Sequence, residues 1–310
     1  MKEKIFCRVL TGPTGSGKSD LALRLAEEKG WEILCMDSMQ IYRRLDIGTA
    51  KPSAEERRRV PHHLLDICEP TESFSVADYR DRAEALVRSL AQQGREVLFV
   101  GGTGLYLQAM MHPMAMGQVP ADEALRCELK SLAEQPRGRE RLHEMLRALD
   151  PVTAEKLPLN DLRRVIRAIE VSRATGIPFS QQPNREEPSP FAWSVVSTRL
   201  PREELYRRIN LRVDRMIASG LAHEVLSLLQ EGVPEDAQSM AGLGYKEMIP
   251  FLKGECSLDT AADAIRLGTR HYAKRQMTFL RREPAVQYVD ADVPDALDKL
   301  RSLFCQPANG

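Results

Sequence analysis

The 310-residue sequence has no excess of charge of either sign, with Lys plus Arg and Asp plus Glu numbering 44 each. Net charge therefore neither demands nor excludes a polyanionic partner, and only local clusters can decide that question. No uninterrupted apolar run approaches the roughly 18 to 20 residues that a membrane-spanning helix needs. The chain enters an apolar stretch within its first residues with no export signal before it, so neither secretion nor membrane anchoring is expected. The six cysteines (Cys7, Cys35, Cys68, Cys127, Cys256 and Cys305) are too far apart for a zinc motif or a thiol-exchange pair. Scattered, mostly buried thiols in a reducing cytoplasm are expected instead. Internal repeats and low-complexity tracts are absent as well. What is present is 43% hydrophobic residues, enough to bury a sizeable core and to exclude a disordered chain.

Ile5 to Thr11 is a short apolar run followed by a glycine-rich turn and then, from Asp20, by apolar residues recurring on one helical face. Two further runs, Trp31 to Met36 and Glu96 to Val100, flank a helical stretch from Val76 to Gln92. Strands alternating with helices imply a parallel sheet covered on both faces. From about Pro113 to Pro190 the pattern turns helical only: Asp122 to Glu134, Gly138 to Asp150, and Asp161 to Thr175 with Asn160 as expected N-cap. Gln181 to Pro190 reads as a solvated linker and Phe191 to Thr198 as a returning strand. Helices at Arg202 to Ser219, Leu221 to Gln230 and Leu258 to Arg282 follow, then a last strand at Ala285 to Val289. The expected fold is an α/β core of residues 1–112 and 191–310 with an all-helical insertion at 113–190.

Gly12-Pro-Thr-Gly-Ser-Gly17-Lys18-Ser19 fits the P-loop spacing, with a strand before it and a helix after it. Amides of Gly15 to Ser19 can converge on an anion at a helix N-terminus, Lys18 can reach an outer phosphate, and the Ser19 hydroxyl can ligate magnesium. Such a loop serves kinases, NTPases and transferases alike. The strand ending at Val100 runs into Gly101-Gly-Thr103-Gly104 and offers no acid, so the acid at a strand end is Asp37. At the carboxyl edge of the sheet it can act as a general base or, alternatively, as a metal-water ligand or N-cap. Asp37-Ser38-Met39-Gln40 offers an acceptor, a hydroxyl and an amide suited to a nucleobase edge, although Gln40 also fits a solvated loop. Thr103 is placed to contact an acceptor base or a diphosphate. Late basic residues fall on two helices, Arg202 to Arg215 and Arg266 to Arg282. On the second, Arg270, Lys274, Met277 and Arg281 share a face, with His271, Tyr272 and Phe279 available for stacking on unpaired bases. Its alternative is a solvated helix face.

Taken in order, these motifs resemble the tRNA dimethylallyltransferase family, also called isopentenyl-diphosphate:tRNA transferases. The resemblance runs through Gly12 to Ser19, Asp37 to Tyr42, Asp46-Ile-Gly-Thr-Ala-Lys-Pro52, His62-His-Leu-Leu-Asp66, Gly101 to Tyr106, Asn160-Asp161 with Arg164 and Arg167, Gly242-Leu-Gly-Tyr245, and Lys274 to Arg281. It implies a P-loop core with a helical insertion that grips the tRNA anticodon stem-loop, and transfer of a dimethylallyl group from dimethylallyl diphosphate to the adenosine 3′-adjacent to the anticodon, without nucleotide hydrolysis. Asp37 would be the base and Thr103 would assist. Gly12, Thr14, Gly15, Ser16, Gly17, Lys18 and Ser19 would hold the diphosphate with Mg2+ on Ser19, and Arg212, before Val213-Asp214, would clamp it.

The same resemblance makes Asp37, Ser38, Met39, Gln40, Thr103, Arg126, Asn160, Asp161, Arg164, Gly242, Gly244, Tyr245, Lys274, Arg275, Gln276, Thr278, Phe279 and Arg281 tRNA contacts, in a cytoplasmic monomer. Ser19 stands where many members have Thr and Phe279 where Trp is common; Arg44 replaces a smaller residue. The rival readings are an isopentenyltransferase acting on free AMP, a P-loop kinase using ATP, and an RNA-binding module without chemistry.

Overall fold

The computed structural model describes residues 4–112, 119–182 and 189–305. Short branched and apolar runs form six parallel strands: β1 (Ile5–Thr11), β2 (Glu32–Cys35), β3 (His62–His63), β4 (Val97–Val100), β5 (Phe191–Arg199) and β6 (Val286–Asp290). They pair in the order β3-β2-β4-β1-β5-β6. Because β4 lies between β1 and β2, Val100 is level with Leu10 on one side and Cys35 on the other. The segments leaving these three carboxyl ends begin at Gly12, Gly101 and Met36, side by side across two strand spacings, roughly 10 Å.

The described residues fall into two compact units, residues 4–112 with 189–305, and residues 119–182. In the first, α1 (Lys18–Lys29), α2 (Ala54–Arg59), α3 (Val76–Gln92) and α4 (Gly104–Met111) precede β5, and its other helices follow it. Side-chain alternation along β1 sends Cys7 and Val9 to one core, with Phe99, Tyr79 and Tyr245, and Leu10 to another, with Leu25, Trp31 and Phe304. The sheet is thus covered on both faces. Ser53 and Ser75 begin α2 and α3 through capping boxes with Glu56 and Asp78, each such cap contributing about 1 kcal/mol.

The second unit contains α5 (Glu123–Glu134), α6 (Gly138–Leu149), α7 (Pro151–Lys156) and α8 (Leu162–Thr175) around Leu129, Leu142, Leu146 and Ile169. The helix expected to reach Asp150 stops at Leu149, since Asp150 turns to accept the amide and hydroxyl of Thr153 and those of Ser180. Burial opposes its ionisation, but these hydrogen bonds outweigh burial and hold its carboxyl at about 2. Asn160 is not the cap of α8: Asp161 occupies that position, and the Asn160 side chain accepts from Arg139 at 2.9 Å. Part of the expected linker, residues 183–188, lies outside the described residues.

The remaining helices of the first unit are α9 (Arg202–Ala218), α10 (Leu221–Gln230), α11 (Tyr245–Leu252), α12 (Leu258–Leu280) and α13 (Ala296–Cys305). Among the described residues, no helix is long and apolar enough to cross a membrane. Of the thiols, Cys7, Cys35 and Cys68 are buried, while Cys127 and Cys305 are exposed.

Candidate active site

The turn after β1 wraps the start of α1. Gly15 and Gly17 take φ of 81° and 86°, conformations that cost glycine little and aim successive amides into one concavity. A Cβ on Gly15 would also come 3.1 Å from Ile209 of α9, which supports the loop from behind. Among the described residues the amides of Gly15, Gly17, Lys18 and Ser19 have no backbone partner, as the first turn of a helix requires. With the helix dipole they form an anion site. Two expected diphosphate residues already hold partners within the protein, although Thr14 still lines the cavity. The Ser16 hydroxyl shares a 2.7 Å hydrogen bond with Thr198 and its amide donates to Pro13, while the Thr14 amide donates to Gln276 at 2.9 Å.

Asp37 follows β2 on the opposite side of the Gly101–Gly104 loop. Its Oδ1 accepts the Met39 amide at 2.9 Å and the Gln40 amide at 3.4 Å. Its other oxygen has no hydrogen-bond partner among the described residues, and the side chain lines the cavity. Gly101 must be glycine, since a Cβ there would stand 2.1 Å from the Met36 carbonyl oxygen. Thr103 starts α4 without capping it. Its hydroxyl instead accepts the Ser38 amide at 3.0 Å, which fastens the Asp37 loop to the glycine loop.

These groups surround a cavity of about 260 Å³ that Lys18, Ser19, Asp37, Arg212, Tyr272 and Gln276 help to line. Arg212 lies one turn beyond Ile209 on α9 and donates to the Thr49 carbonyl at 3.2 Å. Burial, then the Arg212 charge, pushes the Lys18 ammonium down to about 8 against the opposing pull of Asp37. Burial likewise lowers Arg212. Two desolvated cations facing one space favour an anion that would neutralise both. Tyr272 was missed as a cavity residue because its sequence reading was that of an exposed stacking ring. The spacing of Tyr272, Gln276 and Leu280, four apart along α12, was the available signal for an inward face. Burial and the Asp37 charge push its phenol up to about 12, so it stays a neutral O–H donor.

Several expected tRNA contacts have side chains engaged within the protein. Gln40 is not a solvated loop residue: its amide donates to the Thr49 and Ala50 carbonyls and accepts from Cys35. Tyr245 is fully buried with its hydroxyl on Glu224 at 2.6 Å, the Gly244 amide caps onto Glu247, and a Cβ on Gly242 would meet Met39 at 2.8 Å. Phe279 lies against Gly104, and Gln276 is 7% exposed. The outward stripe of α12 is His271, Lys274, Thr278 and Arg281, with Arg275 beside it. Arg270 and Met277 leave the expected stripe: Arg270 bonds the Arg266 carbonyl and stacks on Tyr206, and Met277 packs beside Leu205, Ile209 and Ala273. In the helical unit, Arg126 is held by Glu170 and Glu123, while Arg164 stays 74% exposed beside Asp161. Among the described residues no cluster of three acids, histidines or cysteines could hold a metal by itself.

A family model described as IPP transferase matches residues 40–283. The chain is 45% identical over 303 residues to a tRNA dimethylallyltransferase of Geobacter metallireducens, covering 97% of each chain. It is also 45% identical over 306 residues to one of Geobacillus thermodenitrificans, covering 98% of this chain and 96% of the other. Among solved structures, the full-length tRNA isopentenylpyrophosphate transferase of Bacillus halodurans matches with a TM-score of 0.71 at 39% identity, over 97% of both chains. A eukaryotic dimethylallyltransferase acting on tRNA matches with a TM-score of 0.79 at 26% identity, over 97% of this chain and 78% of that one.

Proposed function

The chain belongs to the IPP transferase family, and from that premise we infer that it transfers a dimethylallyl group from dimethylallyl diphosphate to the exocyclic amine of the tRNA adenosine 3′-adjacent to the anticodon. One observation carries the reading: a single cavity joins a cradle of unpaired amides, Lys18 and Arg212, to a carboxylate with one oxygen free on the far side of the glycine loop.

In the reaction the allylic C–O bond breaks, the amine nitrogen forms the new C–N bond, its proton passes to Asp37, and diphosphate leaves. Negative charge grows on the leaving oxygens, where the amides, Lys18 and Arg212 stabilise it. The adenosine amine is a weak nucleophile because its lone pair is delocalised into the ring. Positioning it and removing its proton therefore matter jointly. The base reaches the cavity only when flipped from its stack. Thr103 and Tyr272 supply hydroxyls beside Asp37 for orienting it. The Ser19 hydroxyl lines the cavity beside Lys18, which suits Mg2+ held mainly by the donor's phosphate oxygens and water, with one protein ligand. Bound there, the ion would add charge neutralisation for the diphosphate. Lys274, Arg275, Thr278 and Arg281 face solvent on one helix, which suits the anticodon stem-loop backbone. We further propose that the protein acts in the cytoplasm and as a monomer.

The test is to incubate the protein with labelled dimethylallyl diphosphate and unmodified tRNA, with AMP and ATP as competitors. Label is expected in tRNA at the adenosine 3′ of the anticodon. Label in AMP, or phosphate transfer from ATP, would overturn the reading.

A further inference from the structure

Gln276 hydrogen-bonds both loops that bound the cavity. It sits on the inward face of α12, one turn after Tyr272, while Lys274 and Thr278 on either side of it face solvent. Its Oε1 accepts the Thr14 amide at 2.9 Å, and its Nε2 donates to the Gly102 carbonyl at 2.8 Å. With a donor on one side and an acceptor on the other, the amide can be satisfied in this orientation alone. The fit is close, since a Cβ on Gly102 would stand 2.1 Å from that Nε2. Thr14 belongs to the diphosphate loop, and Gly102 precedes Thr103, whose hydroxyl holds the Asp37 loop through the Ser38 amide.

We infer that Gln276 is a positioning residue that sets the separation between the leaving-group loop and the acceptor loop, and that it does not bind tRNA. The inference rests on the transferase reading, because only a two-substrate displacement makes that separation matter. Attack requires the amine and the allylic carbon at about 3 to 3.5 Å, and a misplacement of about 1 Å costs on the order of a hundredfold in rate. A neutral amide suits the place. The substitution Gln276→Glu would keep the Thr14 bond but set a carboxylate oxygen against the Gly102 carbonyl, whereas Gln276→Leu would remove both bonds.

The experiment measures steady-state kinetics of Gln276→Leu and Gln276→Glu, with filter binding of tRNA and thermal melting alongside. Both variants are expected to lose roughly 10- to 100-fold in kcat, while the KM for tRNA and its binding stay within about twofold. Wild-type kcat in either folded variant, or a loss confined to the KM for tRNA, would overturn the inference. So would loss of the native melting transition in both, which would make Gln276 a stability residue. Wild-type protein that transfers nothing to tRNA would instead bring down the transferase reading itself.

Discussion

Asp37 shows how one carboxylate is divided between structure and chemistry. Oδ1 takes the amides of Met39 and Gln40, which fixes the plane of the group, and the other oxygen is left toward the cavity. Asp37→Asn preserves the acceptor for those amides but cannot take a proton. Turnover is expected to fall by roughly 10² to 10⁴, the usual worth of a general base, with tRNA affinity within about twofold; single-turnover rates and filter binding check both. Lys18 gives a pH dependence. Its ammonium is depressed to about 8 in the ligand-free site, and a bound diphosphate favours the charged form. Above pH 8 donor binding must therefore take up a proton, so donor affinity is expected to fall as pH rises, approaching tenfold per unit, and to be level below about pH 7. Calorimetry in buffers of different ionisation enthalpy reads the proton uptake directly. Lys18→Arg should abolish that slope, since its guanidinium stays charged throughout.

At the scale of elements, the 46–52 loop positions the site without touching the reacting atoms. The Glu224 carboxylate on α10 accepts the amides of Asp46, Ile47 and Gly48 at 3.0, 2.8 and 3.1 Å, and the Tyr245 hydroxyl at 2.6 Å. The loop then presents the Thr49 carbonyl to both Gln40 and Arg212. Glu224→Ala is expected to destabilise the protein by about 2 to 4 kcal/mol, because several donors lose a charged acceptor at once, and to raise the KM for the donor as Arg212 loses its anchor. Glu224→Gln should cost less. Urea denaturation and donor titration test both effects. This latch also marks the limit of sequence reading. The P-loop, Asp37 and Thr103 were legible because each follows a strand directly, and strand order alone brings the three together. Glu224 lies 178 positions from Asp46 and carries no local pattern, as with any contact made by tertiary packing. Short elements such as α2, β3, α7 and α11 escaped because two to eight residues hold too little periodicity. Tyr245, Gln40 and Gln276 were read as tRNA contacts without a direction for their side chains, because a motif shows that a residue type matters, not which way it faces.

For the whole molecule, equal numbers of acids and bases leave no net charge to attract RNA, so binding must depend on local clusters of cations that internal carboxylates leave exposed. Lys274 on α12 and Arg281 at its C-cap are exposed, and Arg164 on the helical unit is 74% exposed with only the surface carboxylate of Asp161 beside it. Arg126, by contrast, is spent on Glu170, which is 1% exposed and also takes Arg167. Each phosphate contact contributes roughly 0.7 to 0.9 to the slope of log K against log salt. Lys274→Ala and Arg281→Ala are each expected to weaken tRNA binding and reduce that slope by about 0.7 to 0.9. Arg164→Ala should do the same where the helical unit grips the same RNA. Arg126→Ala should leave the slope unchanged but destabilise its unit by about 1 to 3 kcal/mol, since Glu170 loses one charged donor while keeping Arg167 and the Asp122 amide. Filter binding from 50 to 300 mM salt, about the range over which such slopes are resolved, separates the two classes. A slope reduced by Arg126→Ala without loss of stability would mean that its pairing with Glu170 opens when RNA binds.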